Sequence, residues 1–418
     1  VLVILDGASE PLGDGPTSLE RAVTPALDAL CAAGVLTRVR TVAPWLEAGS
    51  EHAIPALLGW VPPAPVDRGA VEAAARGIEL PAGGRAWRVD VREARGGGRA
   101  DAGAVREALV ETLRLGDGGA VRDVVGEALR SGDAGAAHEL PRRGSAPSRF
   151  TVHMLGGHRL LVVGPAPLPS LPSCDGVTLH AWPEGVVPPR SLSDGTVVVA
   201  APGAAAGIGR LMGARVLTPA GATGRLGSDL AAKARAAIDA LAGGAASVVV
   251  HVGAPDEAAH ELDAAAKVAA IEAADRELIA PLTVAVRAAG GTLRVCPDHG
   301  CDPSDGRHDP APVPVVTWSA QSAPSFAQDA PRFAAGAPSF AQSVPRSAED
   351  APSFAQRAPS PIARRMTERA VAQLPVVELA QTGQDERERA TGQDERERAT
   401  GQDERERATH LARERAAA

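Results

Sequence analysis

The sequence predicts an α/β protein. Its core is a mostly parallel sheet with helices on both faces, an alkaline phosphatase-like arrangement. A smaller α+β subdomain is inserted in it, and a disordered repeat tail follows. Three observations predict this. Short runs of β-branched residues alternate with helical apolar spacing over residues 1–61 and again over 193–318, the rhythm of strand–helix–strand units that bury a sheet between two helical layers. That rhythm stops over residues 62–192, where Gly and Pro are frequent and only short β-like runs occur. Beyond residue 318 the chain becomes repetitive and poor in the apolar residues a core requires.

Taken in order, Val1–Leu5 reads as a strand ending at Asp6-Gly7. Ser18–Ala33 reads as one helix, with Leu19, Ala22, Leu27 and Leu30 near one face and Gly34 as its stop. A strand over Val35–Val42 leads to a short helix from Ser50, spaced by Ile54, Leu57 and Leu58. In the insert, Arg85–Val91, Arg159–Val163 and Gly176–His180 read as strands and Ala104–Leu115 as a helix. The alternation then returns: strand Thr196–Ala200, a helix to Met212, strand Arg215–Leu217, helix Asp229–Leu241, strand Ser247–Val252, one long helix Asp263–Ala289, and strands Thr292–Cys296 and Val313–Thr317. The loop within Thr196–Gly213 superficially resembles a dinucleotide-binding turn, but its glycine spacing is wrong and no acidic residue follows at the required distance.

The tail divides further. Ala-Pro-Ser-Phe-Ala-Gln begins at 323, 337 and 351, giving low-complexity repeats over 319–361. Gly-Gln-Asp-Glu-Arg-Glu-Arg-Ala-Thr recurs at 383, 392 and 401, within a charged stretch over 381–418. Neither repeat carries a packing face, so both are expected to be disordered. Between them, residues 362–380 have ordinary globular composition and are expected to be a last segment of the core.

Composition narrows the function classes. The chain has 418 residues, 44% of them hydrophobic, and a net charge of −8. A negative chain without a basic stripe is not built as a nucleic-acid binder. Its apolar runs fall far short of the ~20 residues a membrane helix needs, so no membrane partner is expected. Four cysteines, Cys31, Cys174, Cys296 and Cys301, are too few and too scattered for a disulfide scaffold. With no secretory signal, a reducing cytoplasm is the expected location. Two lysines stand against 41 arginines, with no Tyr and no Asn. The depleted residues have AT-rich codons, which points to a GC-rich bacterial genome.

The residues suited to chemistry are dispersed but share a position. Asp6 ends the first strand, and Ser50 starts a helix. Asp256 and His260 are four apart, on one face of a helical turn. Asp298 and His299 follow a strand, and His308 comes nine residues after them. Each lies at or beyond a predicted strand end, where open α/β sheets place their ligands. Three Asp, three His and one Ser form a mixed oxygen and nitrogen set suited to Zn²⁺ or Mn²⁺, too many for one tetrahedral ion and enough for two. Cys296 and Cys301 flank the Asp-His pair, but with the ligand set already full, thiolate ligation is not expected.

In this set and its surroundings the sequence resembles the cofactor-independent phosphoglycerate mutases, archaeal-type branch, of the alkaline phosphatase superfamily. The resemblance covers roughly residues 1–318. It is carried by Asp6-Gly7, Ser18-Leu-Glu-Arg-Ala-Val-Thr-Pro-Ala-Leu-Asp28, Gly49-Ser-Glu-His-Ala-Ile-Pro-Ala-Leu-Leu-Gly59, Gly207-Ile-Gly-Arg210 and Gly221-Ala-Thr-Gly224. Further on it is carried by His251-Val-Gly-Ala-Pro-Asp-Glu-Ala-Ala-His260, Pro297-Asp-His299 and His308-Asp-Pro-Ala-Pro-Val-Pro314. The resemblance implies two divalent metal ions, Mn²⁺ foremost, with Mg²⁺, Zn²⁺ or Co²⁺ as substitutes. Asp6, Ser50, Asp298 and His299 would surround one ion; Asp256, His260 and His308 would hold the other. It implies Ser50 as the nucleophile that carries phosphate during the interconversion of 3-phosphoglycerate and 2-phosphoglycerate, a step of glycolysis and gluconeogenesis. By similarity of segments, Arg88, Asp90, Arg210 and Lys233 are the candidates for binding the phosphoglycerate substrate.

The chain departs from that pattern in places. Glu51 stands where the family usually has Asp, and Leu58-Gly-Trp-Val61 replaces the usual Leu-Gly-Tyr-Asp. The insert matches only in patches. Two other functions remain open on the sequence: a metal-dependent phosphohydrolase or other phosphotransferase on the same core, and a non-catalytic domain whose tail binds partners. The sequence names no partner for the tail.

Overall fold

Val3, Ile4 and Leu5 are fully buried because β1 (Leu2–Leu5) runs through the middle of a sheet covered on both faces. This computed structural model describes residues 1–93, 150–156, 159–168, 171, 173–174, 177–321 and 365–379. The predicted helix Ala104–Leu115, the 14-residue repeats and the charged repeats lie outside the described residues. After β1 come α1 (Ser18–Arg21), α2 (Pro25–Ala33), β2 (Val35–Arg40), α3 (Ser50–Leu57) and α4 (Arg68–Ala75). Then follow β3 (Gly84–Glu93), β4 (Thr151–Gly156), β5 (Arg159–Pro165), β6 (Ser173–Cys174) and β7 (Val177–Ala181). The chain continues through β8 (Thr196–Val199), α5 (Ala204–Leu211), β9 (Arg215–Leu217), α6 (Leu230–Ala242), β10 (Ser247–Val252) and α7 (Ala254–His260). Last come α8 (Ala264–Ala274), a π-helical turn Asp275–Ile279, α9 (Ala280–Ala288), β11 (Thr292–Cys296), β12 (Gly300–Cys301), β13 (His308–Asp309), β14 (Val313–Ser319), α10 (Glu368–Val371) and β15 (Val376–Glu378).

Among the described residues the main sheet has eight strands in the order β15-β2-β14-β11-β1-β10-β8-β9. It is parallel except at β14, which runs antiparallel to both β11 and β2. In register, Leu2 pairs with Val249 of β10 on one side and with Arg294 of β11 on the other. The pattern of near-continuous Val, Ile and Leu in β1, β8 and β10 is what strands buried on both faces require. A large apolar cluster on one face joins Val3, Leu5, Val248 and Val250 to Leu27, Leu30, Ile271, Leu278 and Leu282. On the other, Ile4, Val198 and Val249 meet Ile54, Val71, Ile208 and Met212.

The second sheet, order β4-β5-β3-β7-β6, is antiparallel throughout. Trp87, Val89, Val91, Val152, Leu160 and Val162 form its own apolar cluster. Helix α4 lies between this sheet and α5, and there the backbones approach so closely that a Cβ on Gly207 would fall on the Val71 carbonyl. That contact fixes the insert against the core near the edge where the strands end.

Two predicted helices are broken in the structure, and the breaks are related. The single helix expected over Ser18–Ala33 is two, because Pro25 disfavours helical backbone at the preceding residue; Ala22 and Thr24 are accordingly non-helical. The exposed start of α2 is then capped from outside: the Asp275 carboxylate accepts from Ala26 N at 3.1 Å and Leu27 N at 2.7 Å. Asp275 opens the π-turn that interrupts the long helix expected over Asp263–Ala289. Pro281 has no N–H for the carbonyl four residues back, and the wider turn is closed instead by Ala280 N donating to Asp275 O.

Residues 365–379 return to the core. Strand β15 pairs parallel with β2 and covers its edge. Glu368 reaches the loop after β1, where its carboxylate accepts from Ser9 Oγ at 3.0 Å, Glu10 N at 3.0 Å and Thr17 Oγ1 at 2.7 Å. Replacing Glu368 by Ala strands these donors in a buried place, so Glu368→Ala is expected to lose roughly 1–3 kcal/mol of stability. Urea unfolding of the two proteins measures it, and an unchanged midpoint would mean the segment contributes nothing to the fold.

Candidate metal centre

Strands β11, β1 and β10 are neighbours, and the loops leaving their carboxyl ends carry the polar residues. Asp6 follows β1, Asp298 and His299 follow β11, and β10 supplies His251 before α7 brings Asp256 and His260. This is the side of a parallel sheet where helix N-termini and loop amides converge. Helix α3 enters from the second layer and places Ser50 in its first turn.

The side chains gather into two groups. In the first, Ser50 Oγ donates to Asp6 Oδ1 at 3.0 Å and lies 3.2 Å from His299 Nε2. His299 Nε2 is 3.4 Å from Asp6 Oδ1 and 3.7 Å from Asp298 Oδ2. In the second, Asp256 Oδ2 is 3.2 Å from His260 Nε2, and Asp256 Oδ1 is 3.4 Å from His308 Nε2. The His308 and His260 Nε2 atoms face each other at 2.9 Å. The groups abut, since the His299 and His308 rings stack with centroids 4.2 Å apart. All seven residues expected to hold metal are thus brought to one place. Ser50 does not cap its own helix: Gly49 is the cap residue and makes no side-chain capping bond.

The donor chemistry fits divalent cations. His299 Nδ1 lies 3.0 Å from Gly300 O and His308 Nδ1 lies 2.9 Å from Ala48 O. A backbone carbonyl can only accept, so each Nδ1 carries a proton and each Nε2 is the nitrogen turned to the cluster, where it offers a lone pair to a cation that displaces any proton on it. Asp298 Oδ1 is used up by Gly7 N at 3.0 Å and His299 N at 2.9 Å. Its other oxygen, with Asp256 Oδ1 and His251 Nε2, makes up the buried side-chain atoms that lack a hydrogen-bond partner among the described residues. Orphaned ligand atoms converging on one region are what a cation site needs. Gly7 adopts a φ of +57°, and a Cβ there would overlap Asp256 Oδ1; the close approach of the β1 loop to α7 requires glycine.

Electrostatics agree. Burial, then the neighbouring Asp298 and Asp256 charges, raise Asp6 well above the ordinary carboxylate range. Burial opposes charge on His308, yet the adjacent Asp256 carboxylate outweighs it and lifts the imidazole to about 9. A cluster that must otherwise hold protons to offset its carboxylates is one that positive ions stabilise.

The substrate candidates fall in different places. Lys233 is buried beside the cluster, its Nζ donating to His251 O at 2.7 Å, and burial lowers it to about 8 against the pull of Asp6. Arg88 is paired with Asp90, Nε to Oδ1 at 2.9 Å. Trp182 Nε1 also donates to Asp90, at 2.7 Å. Arg210 is not drawn into the cluster: its guanidinium donates to the Ala74 and Ala75 carbonyls at the end of α4.

Sequence reasoning did not single out Arg68, Trp182 or His251, and it set Cys301 aside. Arg68 stacks on the Trp182 ring at 4.3 Å and pairs with Glu51 at 3.4 Å, linking the insert to the residue beside Ser50. His251 lies 3.2 Å from Asp6 Oδ2. It sat inside a quoted segment, in mid-strand, where a polar residue in an apolar run was the available signal. Cys301, set aside as a ligand, joins Asp256, His260 and His308, with ligand atoms all within 4.8 Å of one another.

With this geometry stand the relatives. The metalloenzyme superfamily matches residues 1–344. A 2,3-bisphosphoglycerate-independent phosphoglycerate mutase of Archaeoglobus fulgidus is 30% identical over 76% of this chain and 88% of its own length. The chain belongs to that family. A second member, from Methanosarcina barkeri, is 29% identical over the same shares of the two chains. A solved protein of Pyrococcus horikoshii, 21% identical, superposes with a TM-score of 0.57 over 76% of this chain and 86% of that one, which shows a common fold. No helix among the described residues is long and apolar enough to cross a membrane.

If His308 completes the second group, His308→Ala should bind fewer divalent ions per chain. It should also lose most of the rise in Tm that added metal gives the unaltered protein. Metal analysis after gel filtration and paired melting curves check this; full occupancy in the variant would remove His308 from the ligand set.

Proposed function

We propose that this protein is a metal-dependent phosphoglycerate mutase that interconverts 3-phosphoglycerate and 2-phosphoglycerate through a phosphoserine at Ser50. One observation carries the reading above all: the Ser50 hydroxyl is held 3.0 Å from Asp6 and 3.2 Å from His299, not turned back to cap its helix. Asp6, Ser50, Asp298 and His299 would hold one ion, and Asp256, His260 and His308 the other, with Mn²⁺ suited to the oxygen-rich first group. When bound, the ions would acidify the serine hydroxyl and offset charge on the phosphoryl oxygens.

The chain's own residues supply the rest. Asp6 Oδ1 already accepts the Ser50 proton in a hydrogen bond, so the hydroxyl is oriented with its other lone pairs free. The Ser50 proton passes to Asp6 as the Oγ–phosphorus bond forms and the phosphorus–oxygen bond of the substrate breaks, and the departing glycerate oxygen takes up that proton. Glycerate then turns within the site, and its other hydroxyl oxygen takes the phosphoryl group back from Ser50. Retaining glycerate during that turn falls to the insert. Arg88 and Asp90, joined to Arg68 through Trp182, offer paired cations to a carboxylate and an acceptor to a hydroxyl. Lys233, buried next to Asp6, adds positive charge near the phosphoryl position, and Arg210 acts through α4, whose end it fastens.

Incubation with 3-phosphoglycerate and Mn²⁺ tests the reading directly, scoring 2-phosphoglycerate against free phosphate. The mutase makes the first; a protein releasing only phosphate is a phosphohydrolase.

Ser50→Ala is expected to fold, keep most of its metal, and lose turnover by at least about a thousandfold, as removal of a nucleophile does. Acid-quenched wild type should carry phosphate on the peptide containing Ser50. Near-normal turnover of the variant, or phosphate mapping to another peptide, would end the nucleophile assignment.

A further inference from the structure

We infer that Cys301 is a fourth ligand of the Asp256–His260–His308 site, giving that site a sulfur donor and a preference for zinc or cobalt over manganese or magnesium. The inference rests on the reading that this group holds a divalent ion, and it changes what kind of ion that is.

The backbone sets it up. Strands β12 and β13 pair antiparallel, and Cys301 stands directly opposite His308. Opposed residues of an antiparallel pair project from the same face with their Cβ atoms about 5 Å apart. Whatever His308 faces, Cys301 faces too. The thiol accordingly lies against the Asp256 carboxylate, and its sulfur sits within 4.8 Å of the Asp256, His260 and His308 ligand atoms. Asp256 Oδ1, buried and without a hydrogen-bond partner among the described residues, points to the same place.

The sulfur is also held still. Cys301 N donates to Ser9 O at 2.8 Å. The Cys301 carbonyl accepts from Lys267 Nζ, which is itself fully buried and tied to Ser9 O at 3.1 Å and Glu10 Oε2 at 3.0 Å. A buried lysine shared between the carbonyls of two loops and one carboxylate is a device for fixing the spacing of those loops. Cys296, five residues earlier, is different: it packs with Val39, Val313 and Val315 and belongs to the core.

One carboxylate oxygen, two imidazole nitrogens and one thiolate make a four-donor set of the tetrahedral kind zinc takes. On coordination the S–H bond is replaced by a sulfur–metal bond, and the proton leaves to solvent. Asp6, Asp298, His299 and Ser50 offer mostly oxygen, so the two neighbouring sites would sort ions by softness: a harder ion at Ser50, a softer one at Cys301.

Cobalt reports the ligand type. Metal-free full-length protein loaded with Co²⁺ should show visible d–d bands together with a near-ultraviolet sulfur-to-cobalt charge-transfer band. Cys301→Ser should keep the d–d bands and lose the charge-transfer band. Its Zn²⁺ affinity by competition should fall at least about tenfold, with Mn²⁺ affinity little changed. Wild type with d–d bands and no charge-transfer band overturns the inference and leaves the metal site standing. A charge-transfer band that survives in Cys301→Ser does the same, because another cysteine then supplies the sulfur. No Co²⁺ uptake at all overturns both the inference and the metal reading. Should the variant fail to fold, X-ray absorption on zinc-loaded wild type decides: sulfur at about 2.3 Å supports ligation, and nitrogen and oxygen neighbours alone refute it.

Discussion

Three carboxylates at the carboxyl edge of neighbouring strands set the terms for the rest of the molecule. Asp6, Asp256 and Asp298 are gathered, largely out of water, against four imidazoles, those of His251, His260, His299 and His308. Like charges in that setting repel strongly, and burial adds the cost of lost hydration. Such a cluster persists only if its geometry is imposed from outside and its charge is met from within. The parallel order β11-β1-β10 imposes the geometry, because it delivers each acidic loop to the same edge. Gly7 lets two of the loops touch, and the carbonyls of Gly300 and Ala48 orient the imidazoles.

The support spreads outward in rings. Glu368, from the far end of the described chain, organises the loop that follows Asp6. Glu10 in that loop holds Lys267, which in turn holds β12. On the other side, the pair Glu51–Arg68 and the stack of Arg68 on Trp182 carry the contact from the Ser50 helix into the insert, ending at Asp90 and Arg88. The residue beside the hydroxyl is therefore in electrostatic contact with the small sheet. A shift of that sheet would be felt at α3 through a buried ion pair, where geometry matters more than at an exposed one.

Much of this was legible in the sequence, for identifiable reasons. Strands buried on both faces write themselves as unbroken Val and Ile, so the sheet and its strand-end acids could be read directly. Helix interruptions were harder. The helix expected over Ser18–Ala33 ran straight through Pro25, and the acceptor for the freed amides, Asp275, lies about 250 residues away in sequence. The π-turn does have a local cause, Pro281, but a proline inside an otherwise periodic helical stretch does not say whether the helix ends, kinks or widens there. His251 and Cys301 escaped for the opposite reason: local pattern assigned them to a strand and to a filled site, while their neighbours are set by pairing across the sheet. Arg210 shows a limit of segment similarity, since a matched arginine can spend its charge on helix carbonyls.

The position of β1 has a consequence for how the chain is made. It comes first among the described strands and pairs on both sides in the middle of the sheet, yet those neighbours begin at Ser247 and Thr292. At synthesis rates of about 5–20 residues per second, Val-Ile-Leu of β1 leaves the ribosome roughly ten seconds to a minute before either partner exists. During that interval the early helices that carry Leu27, Leu30, Ile54 and Val71 can cover its faces, but its hydrogen-bonding edges have no native partner, and such long-range parallel pairing is intrinsically slow once it can begin. The metal ligands inherit the delay, because Ser50 alone of Asp6's companions is made before β10 and β11 have arrived. The cluster is thus assembled late: the group around Ser50 cannot be complete before residue 299 is made, nor the group around Asp256 before residue 308.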